Sequence, residues 1–269
     1  MSFLKKIVKF LIPYGIVKFY MRKKHLIPAE GNEYQINEKF YSHYKKFEKQ
    51  KMESPNCNDF VFGKVYPCKK DETQVNGLGD MHYFHQDLLI ARRIFENKPE
   101  NHIDVGSSVG GFVAHVASFR KITVFDVRPS IKSTHNITFF RQDFMANLDQ
   151  KLISSTDSVS CLHAIEHFGL GRYGDPINYD GHLLGIENLY RILKKNGKMY
   201  FSVPIGYPQR IEFHAHRVFD PNYLLKIFDG KFRQDYFSYV DDNGDFHENS
   251  KIEKFKGTYC CGIFEMTKL

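Results

Sequence analysis

His102-Ile103-Asp104-Val105-Gly106-Ser107-Ser108-Val109-Gly110-Gly111-Phe112 decides the fold. An apolar run stops at a glycine turn and leads straight into a helix. Strand, glycine turn and helix together present free backbone N–H groups and a helix N-terminus to a ligand. Two acids say which ligand. Asp104 ends the strand, before the first glycine. Asp126 ends the next apolar run, Ile122-Thr123-Val124-Phe125, 22 residues further on. An acid at that second position is placed to take ribose hydroxyls, as in dinucleotide-type half-folds. An acid at the first position would repel a pyrophosphate. It suits a cofactor with a positive centre and an amino group.

Outward from this turn, strand and helix alternate. A third strand covers residues 137–142 and ends in Asp143; a fourth covers 157–163. Residues 187–193 read as a helix, Lys194-Lys195-Asn196-Gly197 as a turn and 198–204 as a fifth strand. Such alternation predicts a parallel sheet. Two long extended runs follow, 232–240 and 258–267. Between them, Asp241-Asp242-Asn243-Gly244-Asp245 has calcium-loop character, but Asn-Gly between extended runs is first a turn signal. Upstream, residues 87–96 form a helix with Leu88, Leu89, Ala91, Ile94 and Phe95 as its core face. Residues 61–80 look irregular, and 38–51 suit a solvated helix.

The net charge of +7 is unevenly placed. Residues 1–29 carry seven of the 38 bases and no acid; the remaining bases equal the 31 acids. The basic balance therefore belongs to the N-terminus and does not argue for a nucleic-acid-binding face. There, Phe3, Leu4, Ile7, Val8 and Leu11 share one helical face opposite Lys5, Lys6 and Lys9, before Pro13 and Gly15 break the pattern. No apolar run approaches the roughly 20 residues that span a bilayer, and no signal-peptide core or cleavage site is recognisable. A basic amphipathic segment of this kind, residues 1–24, either lies on an anionic membrane surface or packs on protein. The five cysteines, Cys57, Cys68, Cys161, Cys260 and Cys261, form neither a disulfide framework nor a zinc signature. A cytoplasmic protein, peripheral to the inner face of a membrane where that segment binds one, fits best.

Two polar stretches follow strands four and five, where open α/β sheets form their cleft. One is Glu166-His167-Phe168-Gly169-Leu170-Gly171-Arg172-Tyr173-Gly174-Asp175-Pro176. The other is Pro204-Ile205-Gly206 with Glu212-Phe213-His214-Ala215-His216-Arg217. Histidine has the pKa of a general base, so His167 and, as its rival, His216 are the catalytic candidates. Arg172 and Arg217 are suited to bidentate contact with a phosphate or carboxylate. His214 and His216 lack a third ligand at zinc-like spacing, so no metal is expected.

The run Asp104-x-Gly106-x-Ser108-x-Gly110 resembles the first motif of the class I S-adenosylmethionine (SAM) methyltransferases, with serine at the middle glycine. The resemblance implies an α/β, Rossmann-like fold: a seven-stranded, mostly parallel sheet closed by a C-terminal antiparallel hairpin. It would occupy residues 79–269, after a helical N-terminal extension at 1–78. SAM is the implied cofactor. By this resemblance Asp104, Gly106, Ser107, Ser108 and Gly110 meet its amino-acid end. Asp126 takes the ribose hydroxyls and Asp143 the adenine amino group, with Val127, Arg128, Gln142 and His163 as further cofactor contacts. Tyr83 and Gln86 belong to a covering helix. Glu166, Arg172, Tyr173, Asp175, His214 and Arg217 are the implied acceptor contacts. The Glu166–Pro176 string, within about 79–221, further resembles the DUF268 family of unassigned function. The opening Leu11-Ile12-Pro13-Tyr14-Gly15-Ile16-Val17 resembles the N-termini of bacterial surface-polysaccharide enzymes.

Three functional classes follow. The first is an O-methyltransferase acting on a sugar, phosphorylated or nucleotide-linked intermediate of capsule or other surface-polysaccharide synthesis. The second is an NAD-type oxidoreductase, although Gly106-x-x-x-Gly110-Gly111 departs from the Gly-x-Gly-x-x-Gly fingerprint. The third is a non-catalytic protein that keeps the fold to bind a partner.

Overall fold

The computed structural model describes residues 38–63, 81–129 and 133–269. The expectations for residues 1–37, the amphipathic segment among them, and for 64–80 lie outside the described residues. The chain divides into two units, Met1–Gly77 and Leu78–Leu269. In the first, α1 (Glu38–Glu53) carries the ion pairs Lys45–Glu48 and Lys49–Glu53. None of its described side chains is fully buried, as a solvated helix requires. Phe62 folds back to within 5.4 Å of the Tyr44 ring, centroid to centroid.

The second unit opens with α2 (Met81–Asn97), followed by β1 (His102–Val105). One π-type turn, Val109–Val113, and the four-residue α3 (Ala114–Ala117) come next. The helix expected after the glycine turn is therefore short and distorted. Gly111, at φ −103° and ψ −106°, breaks it, and the Asp87 carboxylate fills the space where a Cβ at Gly111 would sit. β2 (Ile122–Asp126), β3 (Ile137–Arg141), β4 (Thr156–Leu162), α4 (Gly181–Ile192) and β5 (Leu193–Ile205) continue the alternation. The turn expected at 194–197 is absorbed into β5. Leu193 already pairs with Thr156, and the register slips before Lys198 meets Ser158. A small hairpin, β6 (Arg210–Glu212) and β7 (His216–Val218), leads to α5 (Pro221–Phe228). β8 (Phe232–Val240), β9 (Phe246–His247) and β10 (Cys260–Lys268) finish the chain.

The main sheet runs β3-β2-β1-β4-β5-β10-β8-β9. β1 to β5 are parallel; β10 inserts antiparallel between β5 and β8. This is a Rossmann-like methyltransferase fold, with the two-residue β9 added at the edge of the seven expected strands. α4 and α5 cover one face through Ile186, Leu189, Ile192, Leu224 and Phe228. α2 and α3 cover the other, packing Leu89, Ile90 and Ile94 on Phe112, Val113 and Val116. Leu88 and Phe95, expected in that core, are 45% and 58% exposed; Ile90 takes their place. The difference is a rotation of the buried stripe: a sequence window of alternating apolar pairs does not say which pair faces the sheet. Among the described residues no helix is long and apolar enough to cross a membrane.

One buried polar contact ties the sheet's centre together. His102 on β1 reaches Ser158 Oγ (2.8 Å) and Ser160 Oγ (3.1 Å) on β4. Burial, aided by Arg120 and opposed by Asp157, holds its pKa at about 3, so the ring is neutral. Because the folded value lies below the unfolded one, this stabilisation is complete above about pH 6.5 and is lost as pH falls toward 3. His102→Gln, which cannot titrate, should cost about 1–3 kcal/mol at neutral pH by leaving a serine unpaired. It should also lose stability less steeply below pH 6.5. Urea unfolding across pH reads both, and parallel acid losses in the two proteins would exclude His102 as a cause.

Candidate active site

The strand order reverses between β1 and β4, and open α/β sheets form their clefts beside such a reversal. The carboxyl ends of these strands carry two adjoining cavities. The first, of about 550 Å³, is lined by Gly106, Phe125, Asp126, Val127, Arg128, Gln142, Asp143, Phe144 and Met145. The second, of about 1070 Å³ and more polar, is lined by His82, Tyr83, Glu166, Arg172, His216 and Tyr259, with the Asp241–Gly244 turn. His163, His167 and Tyr173 line both.

The wall of the first cavity is built from short-range rules. Gly106 turns the chain at φ +75°, which a side chain rarely tolerates, and a Cβ there would press to 3.0 Å from Ala164 Cβ. Asp126, at the end of β2, accepts from Arg128 Nε (2.9 Å), Nη2 (2.5 Å) and backbone N (2.8 Å). Each carboxylate oxygen has two lone-pair sites; Oδ1 takes two of these donors and Oδ2 one, so a site on Oδ2 is left for a further donor. Asp143 caps the next turn by accepting from Met145 N at 2.8 Å. Phe125, Phe144 and Met145 give the slot an apolar wall beside these polar edges.

Asp104 does not reach the cavity. It is fully buried, and its oxygens accept from Ser107 Oγ (2.5 Å), Ser160 Oγ (2.6 Å) and Ser107 N (3.1 Å). Burial pushes its pKa up to about 6, with the serine contacts pulling it back. Ser107 Oγ in turn accepts from Leu162 N (3.0 Å). The acid and Ser107 are thus committed to holding the turn against β4. Ser108 and Gly110 are exposed and line neither cavity. Gln86 is buried: it accepts from Ser202 Oγ (2.5 Å) and donates to Asp87 Oδ1 (3.0 Å). Tyr83 does face the second cavity, its ring 5.0 Å from that of His163. Asp87, unremarked in the sequence, is buried with a pKa raised to about 6 by that burial.

β4 ends in a tight polar knot. His163 has a left-handed backbone, φ +48°, which costs on the order of 1 kcal/mol and turns the chain sharply off the strand. Its Nδ1 lies 3.0 Å from Glu166 Oε1 and its Nε2 3.3 Å from Cys261 Sγ. Burial disfavours charge on this ring, but the Cys261 sulfur and Glu166 carry its pKa well above 6.5. Glu166 is 1% exposed; burial pushes it up, yet His163 and then His167 hold it below the usual range. His167 donates from Nδ1 to Ala215 O (2.7 Å), leaving Nε2 as the lone-pair nitrogen. Burial lowers its pKa, against Glu166 and Ala215 O and with Arg172, so the ring is neutral at pH 7.

The remaining expected acceptor contacts divide. Arg172 is exposed at the second cavity, donating to Ala215 O (2.9 Å) with its guanidinium 5.2 Å from the Tyr173 ring. Arg128 lies over the same ring at 5.0 Å. Arg217 is buried and spent on the carbonyls of Glu166, Phe168 and Tyr179, so it is a scaffold residue. Asp175 also builds the loop, accepting from the backbone N–H groups of Gly169, Gly171 and Tyr173. His214 is exposed at the hairpin turn and lines neither cavity. His216 lines the second cavity alone, 2.9 Å from Glu212 Oε2. In the acidic loop, Asp241 O closes a β-turn on Gly244 N, and its carboxylate accepts from Asn243 N and Asp245 N.

The family model described as "Caenorhabditis protein of unknown function, DUF268" matches residues 121–256, half of the chain. The chain belongs to the DUF268 family. The match runs from the start of β2 to just before β10, so it takes in the His163–Asp175 knot and the small hairpin but not the glycine turn after β1. Comparison with curated proteins returns no match. Among solved structures, Burkholderia thailandensis 1,6-didemethyltoxoflavin-N1-methyltransferase, with 1,6-didemethyltoxoflavin and S-adenosylhomocysteine bound, is similar. It has 12% identity and a TM-score of 0.50, over 91% of this chain and 98% of that one. The N-methyltransferase NodS from Bradyrhizobium japonicum WM9, in complex with S-adenosylhomocysteine, has 12% identity and a TM-score of 0.48. That alignment covers 84% of this chain and 97% of NodS. At such identities the likeness is one of fold, and this DUF268 chain shares the methyltransferase fold.

Asp104→Ala would leave Ser107 N and Ser160 Oγ buried without their acceptor. It should cost about 3 kcal/mol, measured by urea unfolding at pH 7. A loss under about 0.5 kcal/mol, the scale of a neutral surface change, would refute its structural role.

Proposed function

We propose that this DUF268 protein is a SAM-dependent O-methyltransferase whose acceptor is a hydroxylated sugar or phosphorylated intermediate of surface-glycan synthesis. The observation that carries this reading is that His163, His167 and Tyr173 line both cavities. A slot edged by Asp126, Gln142 and Asp143 and a more polar cleft therefore meet at one wall.

The slot suits the cofactor's adenosine end. Asp126 is placed to accept ribose hydroxyls, and the Phe125, Phe144 and Met145 wall to hold a purine, with Gln142 and Asp143 at its edge. When bound, SAM supplies a methyl group from its sulfonium centre. At the shared wall His167 Nε2 takes the proton from the acceptor hydroxyl, the work of a neutral imidazole with a fixed tautomer. His216, set back in the outer cleft beside Glu212, is the weaker candidate. Arg172 offers guanidinium donors at the cleft for a phosphate or carboxylate on the acceptor. Residues 1–24, basic and without acids, would bring the enzyme to an anionic membrane surface.

Calorimetry with SAM, and with NAD as the competing cofactor, tests the first step. Asp126→Ala should weaken SAM binding by about 1–3 kcal/mol. Preference for NAD, or no SAM binding by the wild type, overturns the reading. His167→Ala should lower turnover about a hundred- to ten-thousand-fold with SAM affinity near wild type. Near-normal turnover would move the base to His216 or remove it.

The membrane step is read separately on anionic liposomes. The full chain should sediment with them in a salt-sensitive way and a chain lacking residues 1–28 should not. Equal partitioning of the two would assign the segment to protein packing.

A further inference from the structure

Glu166 is more deeply buried than either histidine it touches. Its Oε1 stands between two imidazoles, 3.0 Å from His163 Nδ1 and 3.7 Å from His167 Nε2. Its Oε2 is buried and accepts no hydrogen bond from the described residues. A buried carboxylate kept only for structure has its oxygens satisfied, because an unmet acceptor costs about 1–3 kcal/mol. Asp104 and Asp175 in the same region follow that rule: both oxygens of each accept hydrogen bonds. Glu166 does not, and its Oε1 lies 3.7 Å from the nitrogen of His167 that is left open to a proton.

His163 completes the arrangement. It is held on its other side by Cys261 Sγ, and Cys261 Sγ stands 3.8 Å from Gln86 Oε1. In its protonated form it offers N–H groups to both Glu166 and Cys261. One imidazolium then neutralises Glu166 while His167 is neutral. When His167 takes a proton, the new charge forms 3.7 Å from a carboxylate that is already in place and buried. Preorganised charge of this kind stabilises a developing ion without reorganisation.

We propose that Glu166 is a positioning residue which stabilises the imidazolium formed on His167 during methyl transfer, with His163 as its resident counter-ion. The step is a simple transfer: the acceptor O–H bond breaks and its proton moves to His167 Nε2, while the oxygen's electron pair forms the bond to the methyl carbon as the methyl–sulfur bond of SAM breaks, its pair staying on the sulfur of the departing S-adenosylhomocysteine. The proposal rests on the methyl-transfer reading and adds to it the group that makes His167 an effective base. Other charged or titratable groups bear on His167: Arg172 and Tyr173 from the following loop, and His216, Asp241 and Asp242 across the cleft. All are retained in the test.

The experiment is a histidine NMR titration of the cofactor-free protein, wild type and Glu166→Gln, with turnover against pH measured in parallel. Glu166 favours the charged form of both rings, so removing its charge should lower the pKa of His163 and of His167, each by about one unit. The acid limb of the kcat profile should move to lower pH in Glu166→Gln. The plateau should fall about tenfold or more and the acceptor KM stay within about twofold. Glu166→Asp, which keeps the charge, should retain the wild-type acid limb. Unshifted titrations in a folded Glu166→Gln protein overturn the proposal, as does a fall in turnover with the acid limb unmoved. A wild type that binds no SAM, with both titrations shifted as expected, overturns the methyl-transfer reading and leaves the coupling of the two histidines to Glu166 standing.

Discussion

The Asp104 carboxylate is the constraint on which the site depends. A buried acid in the middle of a sheet is tolerated only when its oxygens are met by donors. Here the donors come from two directions: Ser107 from the turn after β1, and Ser160 from the neighbouring strand β4. Ser107 then passes the tie to Leu162 N at the end of β4. The glycine turn and the last residue before His163 are thereby held in one geometry. Everything that lines the shared wall hangs from that junction.

The same region shows how burial sorts residues of one type into different work. Arg217 and Arg172 lie on connected segments and both carry a guanidinium suited to anions. Arg217 is buried and its donors are consumed by three carbonyls, which pin the Glu166–Tyr179 loop to β7. Arg172 spends one nitrogen on Ala215 O and remains at the cleft. The histidines divide likewise. His102 is neutral because Arg120 adds to the effect of burial and Asp157 offsets it only in part, whereas the Cys261 sulfur and Glu166 outweigh burial at His163 and carry its pKa well above 6.5. His167 lies between these extremes, near enough to Glu166 to gain from charge and buried enough to prefer being neutral.

Local order was legible in the sequence wherever a single strand or turn carries it. The alternation from 102 to 204, the acid at Asp126, the extended runs at 232–240 and 258–267 and the turn at Asn243-Gly244 depend on neighbours in the chain. Backbone propensity and hydrophobic period decide such features. The sequence by itself determined a parallel sheet with a nucleotide-type first turn, because those patterns repeat over short windows. Which side chains face a ligand was decided only by tertiary structure. Asp104, Gln86 and Arg217 all carry groups that suit a ligand, yet each meets partners on other strands or loops and is used up there. Cys261 acquires its relation to His163 only when β4 and β10 are brought to opposite sides of β5. Sequence lists donors and acceptors; long-range pairing settles which of them remain unspent.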